Sequence, residues 1–510
     1  MCARERGWST VDEPVKRPSV DPLDKLSRLT RRSGVIRLRG LSDRQFMAVS
    51  AGLGLALAAG VVLAAGPWDS GQRKAEQDWA AARIRTGGAD HGSGTPSGPE
   101  PAPSAPAVLQ PLSAATDNSA PDARDTPNGA AAALRATLGP LLKAPALGTV
   151  RSAVVIDTAT GERLYGQGAD TPMTPASTIK IATSAAALSA LGPGHRIATT
   201  VRASPDSRGL TLVGGGDPTL DKAALRALAA DTARALKGRG VTSVRLAYDT
   251  SRYSGPARHP IGPNENIAPV SALTTDEGRL DNSDSGPAPR SDDPAGDTAR
   301  TFGELLHDAG IATRSDPVRG RPAAKSRTVA THLSVPLSAL VERALTNSDN
   351  DIAEALARQT ALATGEPADF DGGRRAVTAR LKKLRLPLTG ANLADGSGLN
   401  RKDKVTAGLL AGLLARAADP DHPELRPVLT GLPVAGFTGT LSGRYDEKSE
   451  GTGLIRAKTG TLTGVNSLAG TVVDRRGRLL AFAFLASGTT SPSEAQSSLD
   501  ALATGLRSVR

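Results

Sequence analysis

The first 130 residues offer little with which to pack a core, and this confines any globular fold to the remainder of the chain. Residues 46–66, FMAVSAGLGLALAAGVVLAAG, contain no charge. As a helix the run would extend roughly 30 Å, the depth of a bilayer's hydrocarbon layer. Arg28, Arg31, Arg32, Arg37, Arg39 and Arg44 precede it, and such clusters stay on the cytoplasmic side. The expectation is a basic cytoplasmic segment (1–45), an uncleaved transmembrane signal anchor (46–66) and a body outside the cytoplasm. The rival is a protein secreted after cleavage near residue 66, where LAAG supplies small residues. Residues 67–130 are rich in Pro, Ser, Ala, Gly and Asp, as in GTPSGPEPAPSAPAV. Too little apolar area is available there to offset the entropy of ordering, so the segment is expected to be a disordered linker.

The remaining residues are ample for a full-sized core. The net charge of +11 invites a nucleic-acid partner, but the basic residues are scattered and no aromatic–basic cluster or finger motif accompanies them. The one cysteine, Cys2, lies at the extreme N-terminus. Intrachain disulfides, thiol nucleophiles in the body and cysteine-based zinc sites are thereby excluded. The six histidines are far apart without an H-E-x-x-H pair, and G-x-S-x-G is absent. Nothing calls for a metal or a cofactor, and an α/β-hydrolase is disfavoured.

The body opens with SAVVIDTATGERLYGQ (152–167), which reads as a hairpin around an A-T-G-E turn. An Ala-rich helix follows, then short strands with the helix DKAALRALAADTARAL. Residues 250–295 are rich in Gly, Pro, Asn and Asp and are expected to be irregular. Two helical runs broken at 347–350 come later, and three strands and a helix from Pro492 close the chain. A hairpin at one end and three strands at the other, with helices between, describe an α+β fold whose chain ends meet in one antiparallel sheet.

Three strings, each present once, carry chemistry: STIK (177–180), SDN (348–350) and KTG (458–460). On a helix, residues i and i+3 share a face, so the amine of Lys180 can reach the hydroxyl of Ser177. A serine hydroxyl needs an adjacent base to act as nucleophile. A lysine serves when much of it is neutral, which burial or a second cation such as Lys458 would favour. Ser177 at a helix N-terminus would also offer backbone N–H groups to a developing oxyanion.

In that order the three strings resemble the set of penicillin-binding proteins and serine β-lactamases. LVGGGDPTL, APVSALTTDEG, DGSGL, GTLSGR and AKTGTLTGVNSLAG extend the likeness over most of residues 150–490. The body thus resembles the penicillin-binding protein 4 type of D-alanyl-D-alanine carboxypeptidase/endopeptidase. That resemblance implies the DD-peptidase/serine β-lactamase-like fold, an antiparallel sheet flanked by helices, with a catalytic domain (131–203 and 330–510) interrupted by an inserted subdomain (204–329). It implies Ser177, Lys180 and Ser348 as catalytic residues, with Ser348 relaying a proton to the leaving amine. Asn350, Lys458, Thr459 and Gly460 would bind substrate, and the N–H groups of Ser177 and Thr461 would form the oxyanion hole. Peptidoglycan stem peptides are the implied substrates and β-lactams the implied covalent inhibitors. Asp395 and Ser397, in DGSGL, read as turn chemistry and are expected to be structural. The chain departs from the family pattern at Asn400, where serine is frequent, and at Thr438, where aspartate is common, and its insertion is shorter than in some relatives. A class A β-lactamase, a non-catalytic wall-binding scaffold and a serine protease of another fold remain as rival readings. D-Ala release and the rate of penicillin turnover separate them.

Overall fold

The structure, a computed structural model, describes residues 127–508. The expected cytoplasmic segment, the apolar run 46–66 and nearly all of the expected linker lie outside the described residues. Within them, no helix is long and apolar enough to cross a membrane. Order begins slightly earlier than expected, with helix α1 (Pro127–Leu141). Proline suits that first position because its missing N–H would have no helical partner there.

Eleven strands are described: β1 (Val150–Asp157), β2 (Arg163–Gln167), β3 (Ala198–Ala203), β4 (Gly209–Val213), β5 (Ser243–Asp249), β6 (Ala312–Thr313), β7 (Val318–Arg319), β8 (Arg327–Leu333), β9 (Ile455–Leu462), β10 (Val465–Val473) and β11 (Leu479–Ser487). The helices after α1 are α2 (Lys180–Leu191), α3 (Lys222–Lys237), α4 (Pro294–Asp308), α5 (Leu337–Thr346), α6 (Asn350–Thr364), α7 (Phe370–Lys383), α8 (Ala407–Ala418), the short α9 (Arg426–Thr430) and α10 (Pro492–Gly505).

The main sheet runs β2-β1-β11-β10-β9, with each pair antiparallel. It is the sheet expected from the terminal hairpin and the three late strands. Alternate residues of a strand face opposite sides, and both sides of this sheet are covered. Ala481, Ala483 and Leu485 of β11 enter one core with α2, α5, α6 and α8. Phe482 and Phe484 enter a second core with α1 and α10. LLAFAFLAS is therefore apolar at every position except the terminal Ser487, with Ala481 and Ala483 on one face and the phenylalanines on the other.

A second, mixed sheet runs β6-β5-β4-β3-β8, with β7 pairing beside β5. It packs on α3 and α4 around Phe302, Leu228 and Leu246. β4 and β5 are parallel and joined through α3, as a parallel crossover requires. Here the boundaries need correction. β3 and β8 pair with each other, so cuts at 203/204 and 329/330 would split β3 from its own sheet and cleave β8. The insertion is better bounded outside Ala198 and Leu333. Between β5 and α4 the described chain has a single 3₁₀ turn, Asp276–Gly278, as the Gly/Pro/Asn/Asp composition anticipates.

Candidate active site

Ser177 is not within an α-helix. It lies on a 3₁₀ turn, Ala176–Ile179, and α2 starts at Lys180. The backbone is strained just before Ser177, where Ala176 has φ of 49°. Two glycines let the neighbouring chain segments close on this turn. A side chain at Gly398, whose φ is 87°, would fall on the Ala176 carbonyl. A Cβ at Gly460 would lie 2.6 Å from the Pro175 carbonyl oxygen. The DGSGL loop and strand β9 therefore reach Ser177 because both carry glycine at the point of contact.

The serine–lysine pairing expected from the i, i+3 spacing is present despite the tighter turn. Lys180 Nζ donates to Ser177 Oγ at 3.0 Å, to Asn350 Oδ1 at 2.7 Å and to the Ser397 carbonyl at 2.6 Å. Its three N–H donors thus have three acceptors, and the side chain is fully buried. Burial lowers its pKa to about 8, against the opposing pull of Asp395, Asp349, Glu354 and Asp403. Of the two causes expected from the sequence, burial leads, and the strongest charges acting on Lys180 are carboxylates rather than a second cation.

Lys458 is also wholly buried, and its amine donates to the carbonyl of Thr459 at 2.8 Å. Burial, and next the charge of Lys180, push its pKa well down. Its neighbours reach further out: Thr459 is half-buried and donates to Thr440 Oγ1 at 2.8 Å, while Thr461 is exposed. β9 holds these residues at the sheet edge, each opposite a β10 partner, with Thr461 facing Asn466.

The SDN string forms the junction of α5 and α6. Asp349 caps α6 by accepting from the Ile352 N–H at 2.9 Å. Ser348 sits at φ of 60°, and its hydroxyl makes no hydrogen bond among the described residues. The structure thus joins Asn350 directly to Lys180, whereas Ser348 makes no hydrogen bond to Lys180 or Ser177. Asn400 and Thr438, the two departures from the family pattern, serve local turns. The Asn400 N–H bonds Asp395, and Thr438 accepts from the Val434 N–H.

The sequence reading missed the part played by the DGSGL loop, whose Ser397 carbonyl is the third acceptor of Lys180. Glu354 on α6 accepts the N–H groups of Gly396 (2.9 Å) and Ser397 (3.0 Å), and Asp395 accepts that of Gly398 at 2.6 Å. The string itself was visible, but a backbone carbonyl leaves no mark in a sequence. Among the described residues, two groups bring three possible metal ligands together: His259, Glu354 and Asp395, and Glu277, Asp349 and Asp351. In the first, His259 bonds Asp395. In the second, Arg279 and Arg343 pair with Glu277 and Arg290 with Asp351.

This geometry agrees with the relationships of the chain. Residues 134–286 and 281–508 match the D-Ala-D-Ala carboxypeptidase 3 (S13) family. The chain belongs to that family. Carboxypeptidase DacB of Mycolicibacterium smegmatis is 38% identical over 447 residues, covering 84% of this chain and 93% of that protein. A carboxypeptidase of Mycobacterium tuberculosis is 36% identical over 426 residues, covering 80% and 89%. The fold is shared with penicillin binding protein 4 from Haemophilus influenzae, with a TM-score of 0.62 at 23% identity over 74% of this chain and 98% of that one. The chain is accordingly an S13 enzyme, a serine peptidase built on an α+β fold.

Proposed function

We propose that the chain is a penicillin-binding D-Ala-D-Ala carboxypeptidase that cleaves peptidoglycan stem peptides through an acyl-enzyme on Ser177. The observation that carries this reading is the buried Lys180 amine, 3.0 Å from Ser177 Oγ and fixed by two further acceptors. In its neutral form it takes the hydroxyl proton as Oγ attacks the carbonyl between the two D-alanines. The N–H groups of Ser177 and Thr461 receive the oxyanion, an arrangement worth about 2.7–4 kcal/mol per donor. As the peptide bond breaks, the leaving D-alanine amine takes a proton by way of Ser348. Asn350 orients Lys180 and the substrate peptide, while Lys458, Thr459 and Gly460 form the binding edge for the terminal carboxylate. Water then hydrolyses the ester and frees Ser177. A β-lactam enters the same acyl-enzyme and leaves it slowly. Endopeptidase cleavage of a cross-link uses the same steps with a longer leaving amine.

The test is incubation with a fluorescent penicillin, mapping of the adduct by peptide mass, and an assay of D-Ala release, with Ser177→Ala as control. A long-lived adduct on Ser177 together with D-Ala release supports the reading. Rapid drug turnover would replace it with a β-lactamase, and a folded chain without an adduct would leave a wall-binding scaffold. The same reading places the catalytic body on the cell-wall side of a membrane anchored by residues 46–66. Release by cleavage near residue 66 is its alternative, and N-terminal sequencing of the membrane-bound and secreted protein distinguishes the two.

A further inference from the structure

Two of the three acceptors of Lys180 are held in place by one irregular stretch of the insertion, residues 256–268. On one side, Asn350 Nδ2 donates to the Asn266 carbonyl at 2.9 Å. This fixes the amide so that its Oδ1 faces Lys180. The Ala268 N–H donates to Asp351 Oδ1 at 3.0 Å, tying the same stretch to the start of α6.

On the other side lies the peptide group that joins Ser397 to Gly398. Its carbonyl accepts from Lys180 and its N–H donates to Asp395 Oδ1, both at 2.6 Å. The second oxygen of Asp395 is bonded by His259 Nε2 at 2.9 Å, by the Asn400 N–H at 2.7 Å and by Ser397 Oγ at 3.2 Å. His259 Nδ1 accepts from the Ile261 N–H at 3.2 Å, which leaves the ring proton on Nε2, directed at the carboxylate. The His259 and Asp395 side chains are 1% and 0% exposed, and Phe370 meets the imidazole edge-on at 5.3 Å. A buried carboxylate is costly unless its donors are in place, so His259 does more than fill space.

We infer that His259 and Asp395 are positioning residues for Lys180, and that the 256–268 strap of the insertion holds the base against Ser177 from two sides. The chain of contacts runs from imidazole to carboxylate, from carboxylate to a single peptide group, and from the far end of that peptide to the amine. An insertion that contributes no nucleophile or base thereby becomes part of the apparatus that aims them.

The groups that face Lys180 are Asp395 and Asp403 from the DGSGL region, Asp349 and Glu354 at the start of α6, and Lys458 from β9. Asp403 is pushed up to about 10 by burial and by Asp395, so it holds its proton at neutral pH. Without His259 the Asp395 carboxylate loses one of the three donors on its second oxygen, and the 397–398 peptide is held less firmly. The ammonium then has a less firmly placed acceptor and loses part of its carboxylate support, which favours the neutral amine, while the amine is also less well aimed. The inference therefore couples a slower plateau to an acid limb moved toward lower pH, a combination that simple loss of folded protein does not produce.

The experiment rests on the proposed function and uses the full chain, measuring fluorescent-penicillin acylation across pH on both sides of 8. His259→Leu removes the donor, His259→Asn is too short to deliver it, and His259→Gln can restore it in place of Nε2. Cooperative thermal unfolding identifies which variants are folded. The expected result in whichever of Leu and Asn folds is an acylation step slower by about 10²-fold, unchanged non-covalent affinity, and an acid limb lower by about one pH unit. His259→Gln should return most of both. A folded Leu or Asn variant with the parent rate and limb would overturn the inference. So would a loss uniform across pH that Gln does not rescue, or failure of both Leu and Asn to fold while folded Gln departs from the parent profile. If the unsubstituted chain forms no adduct on Ser177, it is the proposed function that has failed.

Discussion

Gly460→Ala should damage acylation far more than its single methyl group suggests. Gly460 lies in β9, is buried, and is not among the residues with positive φ, so an alanine meets no conformational penalty there. The obstacle is space. An added Cβ would lie 2.6 Å from the Pro175 carbonyl oxygen, closer still to Ser467 Oγ, and 3.2 Å from Ala176 Cβ. Unstrained carbon contacts sit near 3.5 Å, so β9 and the Ser177 turn must part by about 1 Å. Ser467 cannot simply step aside, because its hydroxyl donates to the Pro175 carbonyl at 2.6 Å and lies 3.3 Å from Thr178 Oγ1. Overpacking of this kind costs about 1–3 kcal/mol of stability. A displacement of about 1 Å between reacting groups costs about 10²-fold in rate, and here it separates Lys458, Thr459 and Thr461 from Ser177 together. The assay is the rate constant for fluorescent-penicillin acylation, with thermal unfolding measured on the same sample. Adding Ser467→Ala removes the nearest obstruction but not the Pro175 carbonyl, so the double variant should recover only part of the loss. A folded Gly460→Ala protein acylated at the parent rate would refute the reasoning.

Further outcomes follow from the same contacts. Because burial brings Lys180 to about 8, and only its neutral form can take the Ser177 proton, acylation should rise about tenfold per pH unit below 8 and level off above it. Lys180→Met should abolish that limb and slow acylation by about 10²–10⁴-fold; a rate independent of pH through this range would rule out Lys180 as the base. Arg444 forms a two-bond pair with Asp500, at 2.9 and 2.6 Å, that ties the GTLSGR loop to α10. Arg444→Met should cost about 2 kcal/mol in denaturant unfolding, with a smaller further loss when Asp500→Asn is added; unchanged stability would show that the pair is ornamental.

The sequence by itself determined the serine–lysine pair and the strands of the main sheet. Ser177 and Lys180 are three residues apart, and that separation brings an amine to a hydroxyl on an α-helix or on the 3₁₀ turn actually formed. Residues 152–167 and 479–487 likewise read as strands from their own composition, because strand preference is a local property. Only tertiary structure decided how Lys180 is held. Ser397 is 217 residues from Lys180, and His259 is 136 from Asp395. The first contact ends on a backbone carbonyl that every residue possesses, and the second joins an irregular loop to a turn. Tertiary structure also decided that Lys458 is buried behind Thr459, and that β3 belongs to the inserted sheet. No local period records which segments pack together, since that depends on where the whole chain excludes water and on where Gly398 and Gly460 let backbones approach.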